Sequence, residues 1–271
     1  MSLNEIKKCS LSILKYVDKV CKDNKISYYL AAGTLLGAVR HKGFIPWDDD
    51  IDIMIPRRDY EKLKLIFPQN DRYSFLTYHN TPNFPFAYGK IIDKNTIKRE
   101  FLRPKYQLTG VDIDVFPIDN YPDDFEEANK WCNLIKKAND TVTNICSPYV
   151  KGRNIPRMIL RNTLVLFRHF LDDTNIKTSR RYIKKLDYLS QYYNKIETGY
   201  CGIASISAYG IKKRNHRTVF EGSIDIEFEG SMFPAPIGYD DYLKDYYDNY
   251  MELPPVEKRA THHKYKAYWR L

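Results

Sequence analysis

The sequence predicts an α+β protein: a mixed β-sheet core flanked by helices over residues 1–122, with an appended, mostly helical part over residues 123–271. Three observations predict it. In the first half, short runs alternate polar and apolar residues between Gly, Pro, Asn and Asp signals, the pattern of half-buried strands. Beyond Pro122 the apolar residues recur instead at helical spacing. The 271 residues are 43% hydrophobic and 14% aromatic, enough to bury a substantial core.

Ile6, Cys9, Ile13, Leu14, Val17, Val20 and Cys21 repeat with helical period and Asp23-Asn24 supplies a stop, which predicts an amphipathic helix over 4–24. A strand follows over 26–31, broken at Gly33-Thr34. Residues 35–40 read as a short helix and 43–47 as a loop, Pro46 blocking regular structure. Residues 50–55 alternate as a strand ended by Pro56, and 58–67 read as the next helix. Shorter strands are predicted over 73–79, 87–92, 96–101 and 111–116. Helices over 123–147, 155–172 and 177–196 follow. A strand over 203–208, a hairpin over 224–233 turning near Glu229-Gly230, and a helix over 239–251 complete the chain. No internal repeat and no low-complexity linker is present.

The chain carries 43 Lys+Arg against 34 Asp+Glu, a net of +9, and the excess is unevenly placed. From Lys151 to Arg217 there are 15 Lys+Arg against 4 Asp+Glu, a local net of +11. From Glu221 to Glu252 the sign reverses, with nine carboxylates against Lys244 alone. The basic middle suits an anionic partner, although a solvated face is the commoner meaning of a charge run. The five cysteines (Cys9, Cys21, Cys132, Cys146, Cys201) are scattered and free of C-x-x-C spacing, so reduced, mostly buried thiols are expected rather than a disulfide framework or a zinc site. Met1 to Lys8 lacks a signal-type apolar run and no segment has the length of a membrane span, so a cytoplasmic location is expected.

The chemistry concentrates in Trp47-Asp48-Asp49-Asp50-Ile51-Asp52-Ile53. On a strand, Asp48, Asp50 and Asp52 share one face while Ile51 and Ile53 face a core. Three carboxylates side by side repel one another unless a cation compensates them, and hard oxygen donors suit Mg²⁺, Mn²⁺ or Ca²⁺. Gly110-Val111-Asp112-Ile113-Asp114-Val115-Phe116-Pro117 repeats the design, with Asp112 and Asp114 opposite Val111, Ile113 and Val115. If the two strands are neighbours, they build a D-x-D plus a third Asp around one or two metals, which suits phosphoryl transfer. An acidic turn capping the next helix would explain the first run but not the second pair. Upstream, Ala32-Gly33-Thr34-Leu35 follows a predicted strand and opens a helix, where free N–H groups can meet a phosphate.

The stretch from Gly33-Thr34-Leu35-Leu36-Gly37 through Arg40-His41-Lys42-Gly43-Phe44-Ile45-Pro46-Trp47 to Ile53 resembles the signature of the LicD family of phosphotransferases. So do Asp114-Val115-Phe116-Pro117-Ile118-Asp119 and the end, Tyr242 to His263 with Leu253-Pro254-Pro255-Val256-Glu257-Lys258-Arg259; residues 120–200 show no such match. That family decorates bacterial cell-surface glycans with phosphocholine or related phospho-alcohols. It and its fukutin-like animal relatives are similar to nucleotidyltransferase-fold enzymes, so the resemblance implies a nucleotidyltransferase-like core. It implies a metal-binding D-x-D of Asp50 and Asp52, with Asp48 beside it. Asp114 would be the third carboxylate, ligating the metal (Mg²⁺ or Mn²⁺) and taking the proton of the acceptor hydroxyl, with Asp112 as the alternative. Gly33 and Thr34 would lie against the donor phosphates. The implied donor is CDP-choline or another CDP-alcohol. The implied acceptor is a sugar hydroxyl of teichoic acid, capsule or lipopolysaccharide, and CMP is released.

Arg40, His41 and Lys42 add positive charge near the acidic run, and Lys90 lies on a strand between the two acidic clusters, so Arg40 and Lys90 are candidates for a diphosphate. An ion pair with a neighbouring Asp is an equally good reading of both. For His41 and for His262-His263, surface or packing roles are expected. Trp47 is the aromatic nearest the acidic run, and a choline head group prefers an aromatic cage.

Residues 155–171 place Arg157, Arg161 and Arg168 within about 40° of one another on a helix, leaving an apolar face of Ile159, Leu160, Leu164, Val165 and Phe167. This suits peripheral contact with the inner face of an anionic membrane, where a lipid-linked glycan acceptor is found. A helix packed on the core with its Arg stripe in water is the more frequent meaning. Two other functions share parts of the pattern. One is nucleotidyl transfer from CTP, which would yield pyrophosphate. The other is metal-free nucleic-acid binding through the basic middle; no RNA-binding motif accompanies it, so no nucleic-acid partner is expected.

Overall fold

Capping and apolar period agree at the N-terminus. In this computed structural model, which describes residues 1–82, 84–100, 109–145, 155–170, 172–206, 210–259 and 265–270, α1 (Leu3–Asp23) starts with a capping box. The Glu5 N–H donates to the Ser2 hydroxyl and the Ser2 N–H donates back to the Glu5 carboxylate. Its buried face contains Ile6, Cys9, Ile13, Leu14, Val17, Val20 and Cys21, the set that the spacing predicts.

β1 (Tyr29–Leu30) is shorter than the strand expected over 26–31, since only Tyr29 and Leu30 have ladder partners, Met54 and Ile53. α2 (Ala32–His41) follows at once. Gly33 and Thr34, expected to break structure, form its first turn. Ala32 takes a left-handed φ of 44° where strand swings into helix. β2 (Asp52–Pro56) leads into α3 (Arg57–Ile66). β3 (Tyr73–Leu76) ends three residues early because the Thr77 N–H turns to the Asn80 side chain. The two strands predicted over 87–92 and 96–101 are one, β4 (Gly89–Glu100), and residue 101 lies outside the described residues. Its pairing with β5 (Thr109–Tyr121) shifts register between Asp93 and Lys98, the irregularity that the sequence shows as a break.

α4 (Phe125–Ile145), α5 (Ile155–Phe170) and α6 (Asp172–Ser190) match the three long helices, while residues 146, 147 and 171 lie outside the described residues. The third helix stops at Ser190 and a 3-10 turn covers Tyr192–Lys195. The strand expected over 203–208 lies instead at β6 (Tyr200–Gly202); residues 203–206 join no ladder, and 207–208 are outside the description. β7 (Asn215–His216) pairs with β6. β8 (Ser223–Phe228) and β9 (Ser231–Pro236) form the expected hairpin, Glu229 and Gly230 both turning through positive φ. α7 (Tyr239–Tyr247) ends four residues early at Asp248, also at positive φ, and β10 (Tyr265–Trp269) is an additional strand.

The larger sheet runs β1-β2-β5-β4-β10, with β3 also on β4 and β6 on the far end of β5. Among the described residues only β2 and β5 pair in parallel; the other pairs are antiparallel. The architecture is thus mixed α/β, and strands from beyond residue 122 extend the sheet begun in the first half. The main core includes Ile13, Leu14, Val17, Leu35, Ile53, Met54, Ile113 and Val115. A second core joins Tyr78, Tyr121, Trp131, Ile135, Ile183 and Leu186. At the C-terminal end of β2, Arg57 lies between acids. It reaches Asp119 through two bonds of 2.7 Å, and Glu61 and Asp187 at 3.2 Å each.

Cys9, Cys21, Cys132 and Cys201 are buried free thiols, as their scatter predicts, and Cys146 is outside the described residues. Among the described residues no helix is long and apolar enough to cross a membrane.

Candidate active site

The parallel pair of β2 and β5 sets the site. Their register places Asp52 opposite Asp114. Ile51, Ile53, Ile113 and Val115 are wholly buried, and alternation sends Asp52, Asp112 and Asp114 to the other face. β4 then brings Lys90 opposite Asp114 in the antiparallel ladder. The Lys90 ammonium donates to Asp112 at 2.6 Å and to Asp114, and Lys98 donates to the second oxygen of Asp112 at 2.6 Å.

These contacts separate two neighbouring carboxyls. Burial pushes Asp112 up, but Lys90 and Lys98 outweigh it and hold the group well below the usual carboxylate range. Asp114 goes the other way: burial, with the charge of Asp112, raises it above its ordinary value despite Lys90. Asp52 is raised strongly by burial and then by Asp50, Asp114 and Asp48, with Lys90 a partial offset. Lys90 itself, pulled down by burial, is held well above its usual value by Asp112 and Asp114. The Asp52–Asp114 side therefore holds more negative charge than its lysines neutralise.

Asp48 and Asp50 reach this region by a different route from the one the alternation predicts. β2 begins only at Asp52; Pro46 and Trp47 form a turn, and residues 48–51 are an irregular loop that follows it. The Asp48 N–H donates to the Ile45 carbonyl at 2.9 Å and the Asp49 N–H to the Asp48 carboxylate at 3.2 Å. The loop after this turn brings ligand oxygens of Asp48, Asp49 and Asp50 within 4.8 Å of one another. Asp49, which a strand would point away, is part of the cluster and is buried. The loop is fastened from outside. Lys7 donates to the Ile45 and Pro46 carbonyls at 3.3 Å, and the Phe44 N–H donates to the Glu229 carboxylate at 3.1 Å. Gly37 allows the loop to pass, since a Cβ there would lie 2.4 Å from the Gly43 carbonyl oxygen.

Gly33 lies against the cluster; a Cβ would sit 3.0 Å from an Asp48 carboxylate oxygen. The buried Thr34 hydroxyl accepts the Asp52 N–H at 2.8 Å, pinning the start of β2 to the first turn of α2. Arg40 is not brought to the carboxylates. At the other end of α2 it donates to the carbonyls of Tyr250 and Glu252, at 2.8 and 3.3 Å, and to the His41 ring at 3.0 Å. His41 thus has the packing role expected of it; His262 and His263 are outside the described residues. Lys42 pairs with Glu227 on the surface. Trp47 is half-buried with the Arg259 guanidinium 5.7 Å from its ring centroid.

Three residues escape the sequence reading. Asp49 is outside the face that alternation gives to Asp48, Asp50 and Asp52, yet joins their cluster. Lys98 meets Asp112 only because β4 is continuous past its irregularity. Tyr265 arrives on β10, where its hydroxyl bonds Asp49; burial and then Asp49 hold that phenol above its usual range. Nothing in the sequence near Tyr265 announces this pairing across the sheet. The donor set is entirely hard oxygen at the acidic loop and includes half-buried, under-compensated carboxylates at Asp52 and Asp114, which fits a divalent cation of the Mg²⁺ or Mn²⁺ type.

Residues 25–150 match the family described as LicD/FKTN/FKRP, nucleotidyltransferase domain. Over 276 aligned positions the chain is 29% identical to the lipopolysaccharide cholinephosphotransferase LicD of Haemophilus influenzae, covering 99% of this chain and 98% of that protein. An uncharacterised protein of Rickettsia prowazekii is 34% identical over 113 residues, 42% of this chain and 40% of its own. One of Rickettsia typhi is 40% identical over 79 residues, 29% of this chain and 26% of its own.

Proposed function

Because this chain belongs to the LicD family of phosphotransferases, we propose that it transfers phosphocholine, or a related phospho-alcohol, from a CDP-activated donor to a sugar hydroxyl of a cell-surface glycan. The observation that carries the reading is the pairing of Asp52 with Asp114 across parallel strands, beside the converged oxygens of Asp48, Asp49 and Asp50. A divalent ion held by Asp50, Asp52 and Asp114 would supply charge neutralisation at the donor phosphates.

The chain's own groups supply the rest. The glycan hydroxyl attacks the phosphorus that carries the alcohol, the bond to the CMP oxygen breaks, and the hydroxyl proton passes to Asp114. Asp114 suits this task better than Asp112, because Lys90 and Lys98 keep Asp112 ionised and weakly basic. Thr34 holds the backbone of Asp52 in place, and Gly33 leaves room for a phosphate to approach the start of α2. Lys90, already paired with Asp112 and Asp114, sets the charge of the site. The Haemophilus influenzae relative, by its name, acts on lipopolysaccharide, which favours a glycan acceptor.

The test is incubation of the purified protein with Mg²⁺ or Mn²⁺, crude cell-wall glycan, and CDP-choline, CDP-glycerol, CDP-ribitol or CTP in turn, with CMP and pyrophosphate assayed separately. CMP from one CDP-alcohol, lost in Asp52→Ala, is the expected result. Pyrophosphate from CTP would replace this reading with nucleotidyl transfer, and no metal-dependent product from any donor would overturn both.

A further inference from the structure

α5 places its apolar face differently from α1. α1, of similar amphipathic design, buries Ile6, Cys9, Ile13, Leu14, Val17, Val20 and Cys21 along its apolar stripe. On α5, Ile155, Ile159, Leu160, Leu164, Leu166 and Phe167 are each 53–64% exposed. The core-packed helix that residue frequencies favour is therefore not what forms. At about 100° per residue these six side chains span an arc of about 180°, and Arg157 and Arg161 follow directly at its edge. Both arginines are exposed, whereas Met158 and Asn162, on the remaining arc, are half-buried and face the protein. Six large apolar residues contiguous on one helix make a patch of the kind that marks an interaction site.

Its neighbour selects the occupant. α6 adds exposed Arg180, Arg181, Lys184 and Lys185, within the segment of net charge +11. A second copy docking through the same face would bring two such segments together and repel. An anionic bilayer complements both features at once, since acyl chains take the apolar arc while headgroups take the arginines.

We propose that α5 lies in the interface of an anionic lipid bilayer, with its Ile155–Phe167 apolar arc inserted and Arg157 and Arg161 at headgroup level. Binding is read without turnover, so its outcome is separate from that of the donor assay.

The experiment is co-sedimentation of the full chain with phosphatidylglycerol/phosphatidylcholine vesicles and with pure phosphatidylcholine vesicles at low and high salt, alongside sedimentation velocity without lipid. The expected result is binding to the anionic vesicles that weakens with salt, by a protein that is monomeric in buffer. Arg157→Glu/Arg161→Glu should weaken it at least about tenfold, and Leu160→Asp/Phe167→Asp comparably, each with an unchanged far-UV circular dichroism spectrum. Absence of vesicle binding, equal binding by wild type and both variants, or a dimer in buffer that Leu160→Asp/Phe167→Asp dissolves would overturn the proposal; the last would assign the face to self-association.

Discussion

Two clusters of buried charge sit at opposite ends of the same parallel strand pair. At the Pro56 end, the Arg57 guanidinium is shared among Asp119, Asp187 and Glu61, and Asp119 also accepts from Asn194 at 2.6 Å. Burial pulls Arg57 down, yet Asp119 and Asp187 outweigh it and keep it above its ordinary value. At the Asp52 end, Asp48, Asp49, Asp50, Asp52, Asp112 and Asp114 gather, with Lys90 and Lys98 on Asp112, Lys90 on Asp114, and Lys7 near Asp48 and Asp49. Both clusters bury aspartates on β5, so burial alone does not tell a working carboxylate from a structural one. Charge balance says more: Asp119, raised by burial and by Asp187, is met directly by Arg57 and Asn194, whereas Asp52 is raised by burial and then by Asp50, Asp114 and Asp48 with Lys90 as its offset.

The sharpest way to break this contrast is to remove one carboxylate from the unbalanced end. Asp52→Asn should lower turnover at least about a thousandfold, while its melting temperature stays level or rises because mutual repulsion falls. Retained turnover, or collapse of the fold, would make the two ends alike. At the balanced end the expectation is reversed. Arg57→Met leaves Asp119 and Asp187 buried without their cation, and should cost about 3–5 kcal/mol of stability. The loss is measured by urea unfolding; turnover per folded molecule should persist.

The sequence makes one end legible and hides the other. Alternation in Val111-Asp112-Ile113-Asp114-Val115 predicts which side chains enter the core, because a strand side chain has only two faces to choose between. The same rule misleads at Asp48–Asp50, where an irregular loop leaving the Ile45–Asp48 turn replaces the strand and brings Asp49 in. Long-range pairings stay hidden for a simpler reason. Tyr265 meets Asp49, and Arg57 meets Asp187, only through the packing of distant elements, and no local pattern records such neighbours. The helices of the second half are readable from period alone, but whether α5 is covered depends on what lies opposite, which periodicity does not carry.

A cation titration sharpens the contrast further. Mg²⁺ or Mn²⁺ at about a hundred times its dissociation constant should stabilise the wild type by about 2.7 kcal/mol, reversibly on chelation. Arg57→Met should gain the same increment from its lower baseline, since its acids lie at the other end of β2 and β5. Asp50→Asn should gain much less. An equal gain in all three proteins, followed by thermal unfolding with and without chelator, would place the ion elsewhere than the Asp48–Asp52 segment.

The smallest effect divides Asp112 from Asp114 within the unbalanced end itself. Lys98→Met removes one of the two cations on Asp112 and leaves Lys90 in place. Because Asp112 keeps a charged partner, the expected loss is about 1 kcal/mol in urea unfolding. Its carboxyl should remain ionised, so kcat should stay within about twofold of wild type. In the proposed mechanism Asp112 holds Lys90 in place while Asp114, raised above its ordinary value, receives the proton. A large fall in kcat with stability unchanged would reverse that division, because it would mean that the Lys98–Asp112 pair tunes the group that accepts the proton rather than bracing the strand beside it.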